Sequence, residues 1–276
     1  MKQWGIFVLS CIIVLTFILN AIIPFYWMFI TSLKSNKELF SIHLNPLWVT
    51  TPTLKHYKDL FTLTHFKYWF INSAEVGFAA TIIAIILGSL AAYGISRIPS
   101  RIGVFSAQIM ILTYLLPRTV FVIPLYNLLA TLRILDTKFG LILAYLSFTL
   151  PFTTWLLIGF FQAIPKELDE AAMIDGCSRI GAMVRVILPL MRPGIVATGI
   201  YSFSTAWNEF MYPLALIQTQ TKTTLTVGIA YLQQGDVFAW GQIMAAGTVT
   251  SVPIVFFYAL IYSHVIRGLV AGGIKG

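Results

Sequence analysis

The chain has 276 residues, of which 58% are hydrophobic and only 10% are charged, and its mean hydropathy is +0.84. Soluble domains carry about a quarter charged residues, and disordered chains combine few hydrophobic residues with high charge, so the composition excludes both classes. The formal net charge of +8 does not indicate nucleic-acid binding, because the basic residues lie between long apolar stretches, where membrane topology places them. Two distant cysteines, Cys11 and Cys177, provide neither a disulfide framework nor a metal cluster.

Uncharged stretches predict the membrane-spanning segments. A helix needs about 20 apolar residues to cross the hydrocarbon core of a bilayer. Four stretches contain 21 to 31 consecutive uncharged residues, and two further stretches contain a single charge each, Arg118 and Glu209. One such charge costs about 3 kcal/mol, which its apolar neighbours offset. We therefore predict an all-α integral membrane protein with six transmembrane helices, approximately at residues 6–30, 76–96, 104–130, 139–161, 194–218 and 240–266.

The sequence also indicates whether the first span is retained and which side of the membrane holds the termini. The first apolar run is longer than a signal-peptide core and lacks a small-residue cleavage site, so we expect it to be retained. Six spans place both termini on one side. With both termini inside, the inner segments carry nine Lys and Arg residues and the outer segments eight. This near-equal count does not decide the orientation, although arginine alone, six against one, favours cytoplasmic termini.

The loop of residues 162–192, between the predicted fourth and fifth spans, has the pattern of two short helices joined by a glycine turn. Pro165 suits a first helical position, and acidic residues follow in the first turns. Gly176 stands where a left-handed helix stop favours glycine. Ser178 is a suitable N-cap for a second helix, which Pro189 ends. The spacing defines two faces. The face of the first helix is mostly small and apolar and comprises Leu168, Ala171, Ala172 and Asp175. The face of the second helix comprises Ile180, Met183, Val184 and Ile187.

Two interpretations of this loop are open. Its helices could rest on lipid headgroups, or they could dock onto another protein. Because the first helix is acidic, anionic inner-leaflet lipid would repel it, and its alanines suit close approach to a protein surface. The composition therefore favours protein docking.

At this loop the sequence resembles a known family. Glu170-Ala171-Ala172, Asp175-Gly176 and Ile187-Leu188-Pro189 resemble the EAA loop of permease subunits of bacterial binding-protein-dependent ABC importers. The resemblance covers essentially the whole chain and is close to the carbohydrate-uptake branch, the maltose-type second permease. The other matching segments, in chain order, are Pro24-Phe25-Tyr26-Trp27, Ser32-Leu33-Lys34, Asn72-Ser73, Ala91-Ala92-Tyr93 with Arg97, Ile123-Pro124-Leu125-Tyr126, Leu135-Asp136-Thr137, Gly140-Leu141-Ile142, Trp207-Asn208-Glu209-Phe210 and residues 268–276.

The resemblance implies the type I ABC importer permease fold, with residues 1–276 forming one transmembrane permease domain in the bacterial inner membrane. It implies that the 162–192 loop is a cytoplasmic coupling loop, that both termini are cytoplasmic, and that Glu170 meets a basic site on an ATPase subunit. The implied ATPase-coupling residues are Leu168, Glu170, Ala171, Ala172, Asp175, Gly176 and Pro189. The implied partners are a sister permease subunit, a dimer of ATP-binding subunits and an extracytoplasmic solute-binding protein, with membrane lipid around the helices.

Catalytic motifs are absent from the sequence. No GxxxxGK[ST] phosphate loop occurs, so we expect ATP and Mg to be used by the partner ATPase, with no cofactor bound by this chain. No GxSxG elbow occurs either. The four histidines, His43, His56, His65 and His264, lack ligand spacing and are expected to be surface or interfacial residues. We therefore predict a transporter subunit rather than an enzyme.

Polar residues within the predicted spans raise the question of the substrate path. Arg118 and Glu209 could pair with each other, line the path, or lie near the outer headgroups. Sugar sites combine aromatic faces with polar side chains, so the substrate-path candidates are Trp207, Asn208, Glu209, Tyr201 and Asn127. The alternative function is an ion-gradient-driven secondary transporter, but the two halves show no convincing internal repeat and six spans would be few.

Overall fold

The computed structural model describes residues 2–41, 45–98, 100–233 and 239–272. His43 and the last four residues of the family-like tail lie outside the described residues, and the side chain of His264 is not described. The helices, in chain order, are α1 (Lys2–Leu33), α2 (Asn36–Leu39), α3 (Lys55–Leu63), α4 (Phe66–Arg97), α5 (Arg101–Leu115), α6 (Arg118–Thr131), α7 (Lys138–Gln162), α8 (Glu167–Ile174), α9 (Arg179–Ala182), a π-helical segment (Met183–Ile187), α10 (Leu188–Leu190), α11 (Arg192–Trp207), α12 (Met211–Leu216), α13 (Leu225–Tyr231) and α14 (Trp240–Gly272).

Four of the described helices are long and apolar enough to cross a membrane alone. They are the Leu9–Leu33 part of α1, α4, α7, and the Trp240–Ala259 part of α14. Two helix pairs pass the same test only together: α5 with α6, bent by 100°, and Arg179–Leu190 with α11, bent by 82°. The described residues thus form an all-helical membrane protein with four spans, or six if each bent pair is one span.

Two of the predicted spans are interrupted in the structure. The predicted helix 104–130 breaks between α5 and α6, because Pro117 lacks an amide hydrogen and holds Leu116 in extended backbone (φ −71°, ψ 137°). The predicted helix 194–218 breaks between α11 and α12. There the carboxylate of Glu209 accepts hydrogen bonds from the backbone N–H groups of Met211 (3.0 Å) and Tyr212 (3.3 Å). These two N–H groups belong to the first turn of α12, so the carboxylate supports the start of a new helix.

The chain divides into two compact units. The first comprises Met1–Lys67 and Gly228–Val252. In it, His56 Nε2 lies 2.8 Å from the carbonyl oxygen of Lys34, at the end of α1, and the Ser32 and Tyr57 hydroxyls are 2.7 Å apart. His56 is only 5% exposed. The prediction of a surface or interfacial histidine was therefore wrong at this position, because the side chain bonds the end of α1.

The second unit comprises Tyr68–Val227 and Pro253–Gly276 and contains the 162–192 loop. One of its apolar clusters includes Val76 of α4, Leu141 and Tyr145 of α7, and Tyr212 of α12. Another lies beneath the 162–192 loop, and its buried members are Ala92, Leu157, Ile158, Phe161, Met183, Ile187 and Met191. This second cluster seats the loop on the ends of α4 and α7.

Candidate functional site

The 162–192 loop contains the predicted glycine turn. After α8, Gly176 has φ +89°, a conformation that residues with a Cβ rarely adopt. The N–H of Gly176 bonds the carbonyl of Met173 (3.1 Å), and the N–H of Cys177 bonds that of Ala172 (3.0 Å). This is the Schellman pattern of helix ends. Ser178 then caps α9, accepting a hydrogen bond from the Gly181 N–H at 3.1 Å. Both the glycine stop and the serine cap are confirmed.

Helix α8 presents one face outward and one face to the rest of the chain. Asp169 and Ala172 are buried. The exposed positions are Glu167, Leu168, Glu170, Ala171, Ile174 and Asp175, and Ile174 is 86% exposed. The structure therefore brings most of the predicted coupling residues of α8 onto one exposed surface that mixes acidic and apolar side chains, whereas Ala172 packs inward.

Asp169 connects α8 to the end of α4. Its Oδ2 lies 2.8 Å from Nε of Arg97, and both side chains are almost completely buried, with 6% of Arg97 and 7% of Asp169 exposed. The hydroxyl of Tyr93 donates to the other carboxylate oxygen of Asp169 at 2.8 Å and lies 3.2 Å from the carbonyl oxygen of Arg179. Sequence reasoning missed this set. The available signal was the spacing of Asp169 and Ala172, which are three residues apart and so share a helix face.

The second part of the loop buries only two of the four positions of the predicted apolar face. Met183 and Ile187 are buried, but Ile180 and Val184 are exposed. The reason is the π-helical segment Met183–Ile187, since an extra residue per turn shifts the positions that share a face. Pro189 lies in the first turn of α10 and is half-buried.

The predicted substrate-path residues occupy separate local environments. Trp207 is buried, with its ring 5.4 Å from those of Phe70 and Phe203. The hydroxyl of Tyr201 lies 2.5 Å from that of Tyr114. Two of the predicted residues, Asn208 at the end of α11 and Asn127 on α6, are exposed.

Glu209, the remaining candidate, forms an ion pair with Arg118. Nη1 of Arg118 lies 3.1 Å from Oε2 of Glu209, and the guanidinium carbon lies 4.6 Å from the centre of the Phe148 ring. Thr226 donates a hydrogen bond to the backbone carbonyl of Glu209 at 2.6 Å. Of the three possibilities that the sequence left open for these charges, the structure therefore shows the mutual pair. The pair joins the break between α5 and α6 to the break between α11 and α12.

The sequence of this chain also matches the model of a known protein family. Residues 84–270 match the sequence model of the binding-protein-dependent transport system inner membrane component. The chain belongs to this family. It is a non-catalytic permease subunit of an ABC transporter and a multi-pass protein of the inner membrane, and its transport system depends on a binding protein. The resemblance inferred from the EAA segment is thereby confirmed.

Curated relatives align over nearly the full length of this permease. It is 34% identical to the inner membrane ABC transporter permease protein YcjP of Escherichia coli, covering 94% of this chain and 93% of that protein. Identity to the sulfoquinovosyl glycerol transport system permease protein SmoH of Agrobacterium fabrum is 35%, covering 94% and 90%. Identity to the trehalose/maltose transport system permease protein MalG of Thermococcus litoralis is 34%, covering 94% of each chain.

The fold of the permease is also that of a solved importer. It superposes on a chain of a bacterial ABC transporter involved in the import of the acidic polysaccharide alginate with a TM-score of 0.81, covering 95% of this chain and 96% of that one at 18% identity. At this identity the likeness shows the fold alone. Among the residues that the structure describes, no group of three or more His, Cys, Asp or Glu side chains is placed to hold a metal ion.

Proposed function

We propose that this permease forms half of the translocation path for a sugar or a related solute, and that the exposed face of α8 couples this path to a separate ATPase subunit. The substrate class is supported by the relatives, which are named for sulfoquinovosyl glycerol, trehalose/maltose and diacetylchitobiose transport. The coupling role rests on one observation. The acidic and apolar residues Leu168, Glu170, Ile174 and Asp175 point away from the chain, on a helix whose opposite side is held by a buried ion pair.

The proposed assembly has four kinds of component. A sister permease completes the path, a dimer of ATP-binding subunits uses ATP and Mg, and an extracytoplasmic solute-binding protein delivers the solute. In this arrangement the 162–192 loop and both termini are cytoplasmic. The acidic surface of α8 then faces the ATPase, and Glu170 would meet a basic site there.

The proposed mechanism is a two-state switch shared by two ligands. When ATP closes the ATPase dimer, it draws the docked α8 inward and converts the path from inward-facing to outward-facing. The solute-loaded binding protein favours the same outward-facing state, and hydrolysis resets the system. Both ligands therefore bias one equilibrium of the membrane helices, which is the condition for coupling.

The test uses two variants in the complete complex in proteoliposomes. Glu170→Arg reverses the charge of the proposed contact, and Gly176→Pro is incompatible with φ +89° because proline fixes φ near −65°. Both variants should insert into the membrane, but both should lose co-purifying ATPase and the ATP hydrolysis that the solute-loaded binding protein stimulates. The matched control is Glu75→Arg, the same reversal on an exposed carboxylate outside the loop. It breaks the ion pair of Glu75 with Lys138 but should retain the ATPase subunit. Normal stimulated ATP hydrolysis in both loop variants would refute the proposal.

A further inference from the structure

The buried ion pair between Arg97 and Asp169 calls for an explanation other than stability. Burying two charges carries a desolvation penalty, and apolar side chains of similar volume often stabilise such a site equally well or better. Fewer than a tenth of either side chain is exposed, and their atoms are 2.8 Å apart. What a buried ion pair provides that apolar packing does not is a specific partner, because separating the two ions would leave both charges buried and unpaired. Such a pair therefore fixes which parts of two elements stay together.

The pair connects the two elements that a coupling mechanism must connect. Arg97 is the last residue of α4, a helix long and apolar enough to span the membrane. Asp169 lies in the first turn of α8, whose outer face carries the proposed ATPase contact. Tyr93, one turn before Arg97, bonds the same carboxylate and lies 3.2 Å from the carbonyl oxygen of Arg179, beyond the glycine turn. Polar contacts from the end of α4 thus reach both sides of the turn.

The rest of the loop is held differently. Met183 and Ile187 pack with Ala92 of α4 and with Leu157 and Phe161 of α7 in an apolar cluster. Apolar contacts have little directional preference, so such a cluster can hold the loop while its parts shift against each other. The contacts of Asp169 resist that shift for two reasons. The hydrogen bond that it accepts from the Tyr93 hydroxyl depends on donor and acceptor geometry. Separating its charge from that of Arg97 would leave two buried charges unpaired.

We propose that Tyr93, Arg97 and Asp169, which we term the α4–α8 latch, transfer the displacement of α8 to the membrane-spanning helix α4. The three residues are positioning residues that contact neither nucleotide nor solute. The proposal rests on the function proposed above, since it requires α8 to be the element that the ATPase moves. It adds that α4 is the helix to which this movement is delivered.

The decisive variant replaces the pair without leaving a charge unpaired. In Arg97→Met/Asp169→Leu, apolar groups of similar length replace both ions, so the loop should stay folded and the complex should assemble. If the latch transmits movement, ATP hydrolysis persists in this variant but α4 no longer follows α8. The charge-exchanged variant Arg97→Asp/Asp169→Arg should restore at least part of the transmission. Arg101→Met, which removes an exposed cation one turn beyond α4, is the matched control and should behave as the parent.

The readout is a distance measured within the full complex. In a Cys11→Ser background, spin labels are attached to the native Cys177, directly after α8, and to Leu87→Cys, an exposed position of α4. Pulsed EPR then compares the nucleotide-free complex with the complex trapped by ATP and vanadate. In the parent and in Arg101→Met, the distance between the labels should be the same in both states, because α8 and the end of α4 move together. In the apolar double variant it should shift or broaden on trapping.

The outcomes separate the two proposals. A distance that stays constant on trapping in the apolar double variant overturns the proposed role of the α4–α8 latch. Failure of that variant to assemble also overturns it, because a pair needed only for folding would give the same failure. A distance that changes on trapping in the parent also overturns it. Failure of the parent to retain the ATPase subunit instead contradicts the function proposed for α8.

Discussion

Replacing Glu209 tests whether its carboxylate holds the break between α11 and α12. The side chain is 6% exposed and pairs with Arg118 through one oxygen, while the other oxygen accepts from the N–H groups of Met211 and Tyr212. Glu209→Ala removes the ion pair and both backbone contacts. Glu209→Gln removes the charge but leaves an amide oxygen that can accept the backbone hydrogen bonds, so it serves as the matched control.

The expected magnitudes follow from these contacts. Leaving backbone N–H groups unsatisfied at a buried site costs about 1–3 kcal/mol each, and the N–H of Tyr212 belongs to a completely buried residue. The ion pair contributes only about 1 kcal/mol, because 35% of the Arg118 side chain is exposed. Because Met211 is exposed, only the Tyr212 N–H counts as buried. We therefore expect Glu209→Ala to lower the free energy of unfolding by about 2–4 kcal/mol and Glu209→Gln by about 1 kcal/mol.

Thermal unfolding of the purified complex in detergent, followed by intrinsic fluorescence, measures this difference. For a chain of this size, the free energy of unfolding lost in Glu209→Ala corresponds to a decrease of about 10 °C in the melting temperature. The free energy lost in Glu209→Gln corresponds to less than half of that decrease. Equal melting temperatures for Glu209→Gln and Glu209→Ala would refute the reasoning, since they would assign the whole effect to the charge. An unchanged melting temperature for Glu209→Ala would refute it as well.

Two further predictions concern the loops and helix ends of the second unit. Burial raises the pKa of Asp136, but hydrogen bonds from Lys222 and the 218–219 backbone outweigh this effect and hold the pKa well below its usual value of 3.8. The stabilisation is therefore present above pH 3.8 and lost as the pH falls below it, so the difference in melting temperature between the parent and Asp136→Asn should shrink below about pH 4. A difference independent of pH would contradict this cause. For helix α7, Gly140→Ala should cost about 1–3 kcal/mol, because the added Cβ would overlap the carbonyl oxygen of Ile134. Gly159→Ala, where the added Cβ meets nothing within 4 Å, should instead be neutral or stabilise by up to about 1 kcal/mol. Equal melting temperatures for these two variants in the same assay would show that the overlap does not matter.

Local features of the 162–192 loop were predictable from the sequence. A glycine after a short acidic helix indicates a left-handed stop, and a following serine indicates a cap, because both depend on the conformation of one residue and its immediate neighbours. Gly176 and Ser178 adopt these conformations. The membrane-spanning character of α4 and α7 was predictable for a similar reason, since it depends on the length and composition of a continuous segment.

The side of a helix on which each residue lies was less predictable. The second helix of the loop was predicted to carry Ile180 and Val184 on one face with Met183 and Ile187, but around the π-helical segment the first two are exposed and the last two are buried. Periodicity assumes a uniform number of residues per turn, so a local change in helix type moves residues to another face without any change in composition. The breaks at Pro117 and Glu209 likewise follow from single residues within segments that remain apolar enough to span.

The sequence by itself determined that this is a multi-pass helical membrane protein with an acidic helix and a glycine turn between two spans, because hydropathy, helix stops and caps are properties of neighbouring residues. Only the tertiary structure decided which charges meet. Tyr93 reaches Asp169 across 76 residues, and Arg118 reaches Glu209 across 91. Such pairs form because helix packing brings distant segments together and burial then makes an unpaired charge costly. No local pattern encodes that choice of partner.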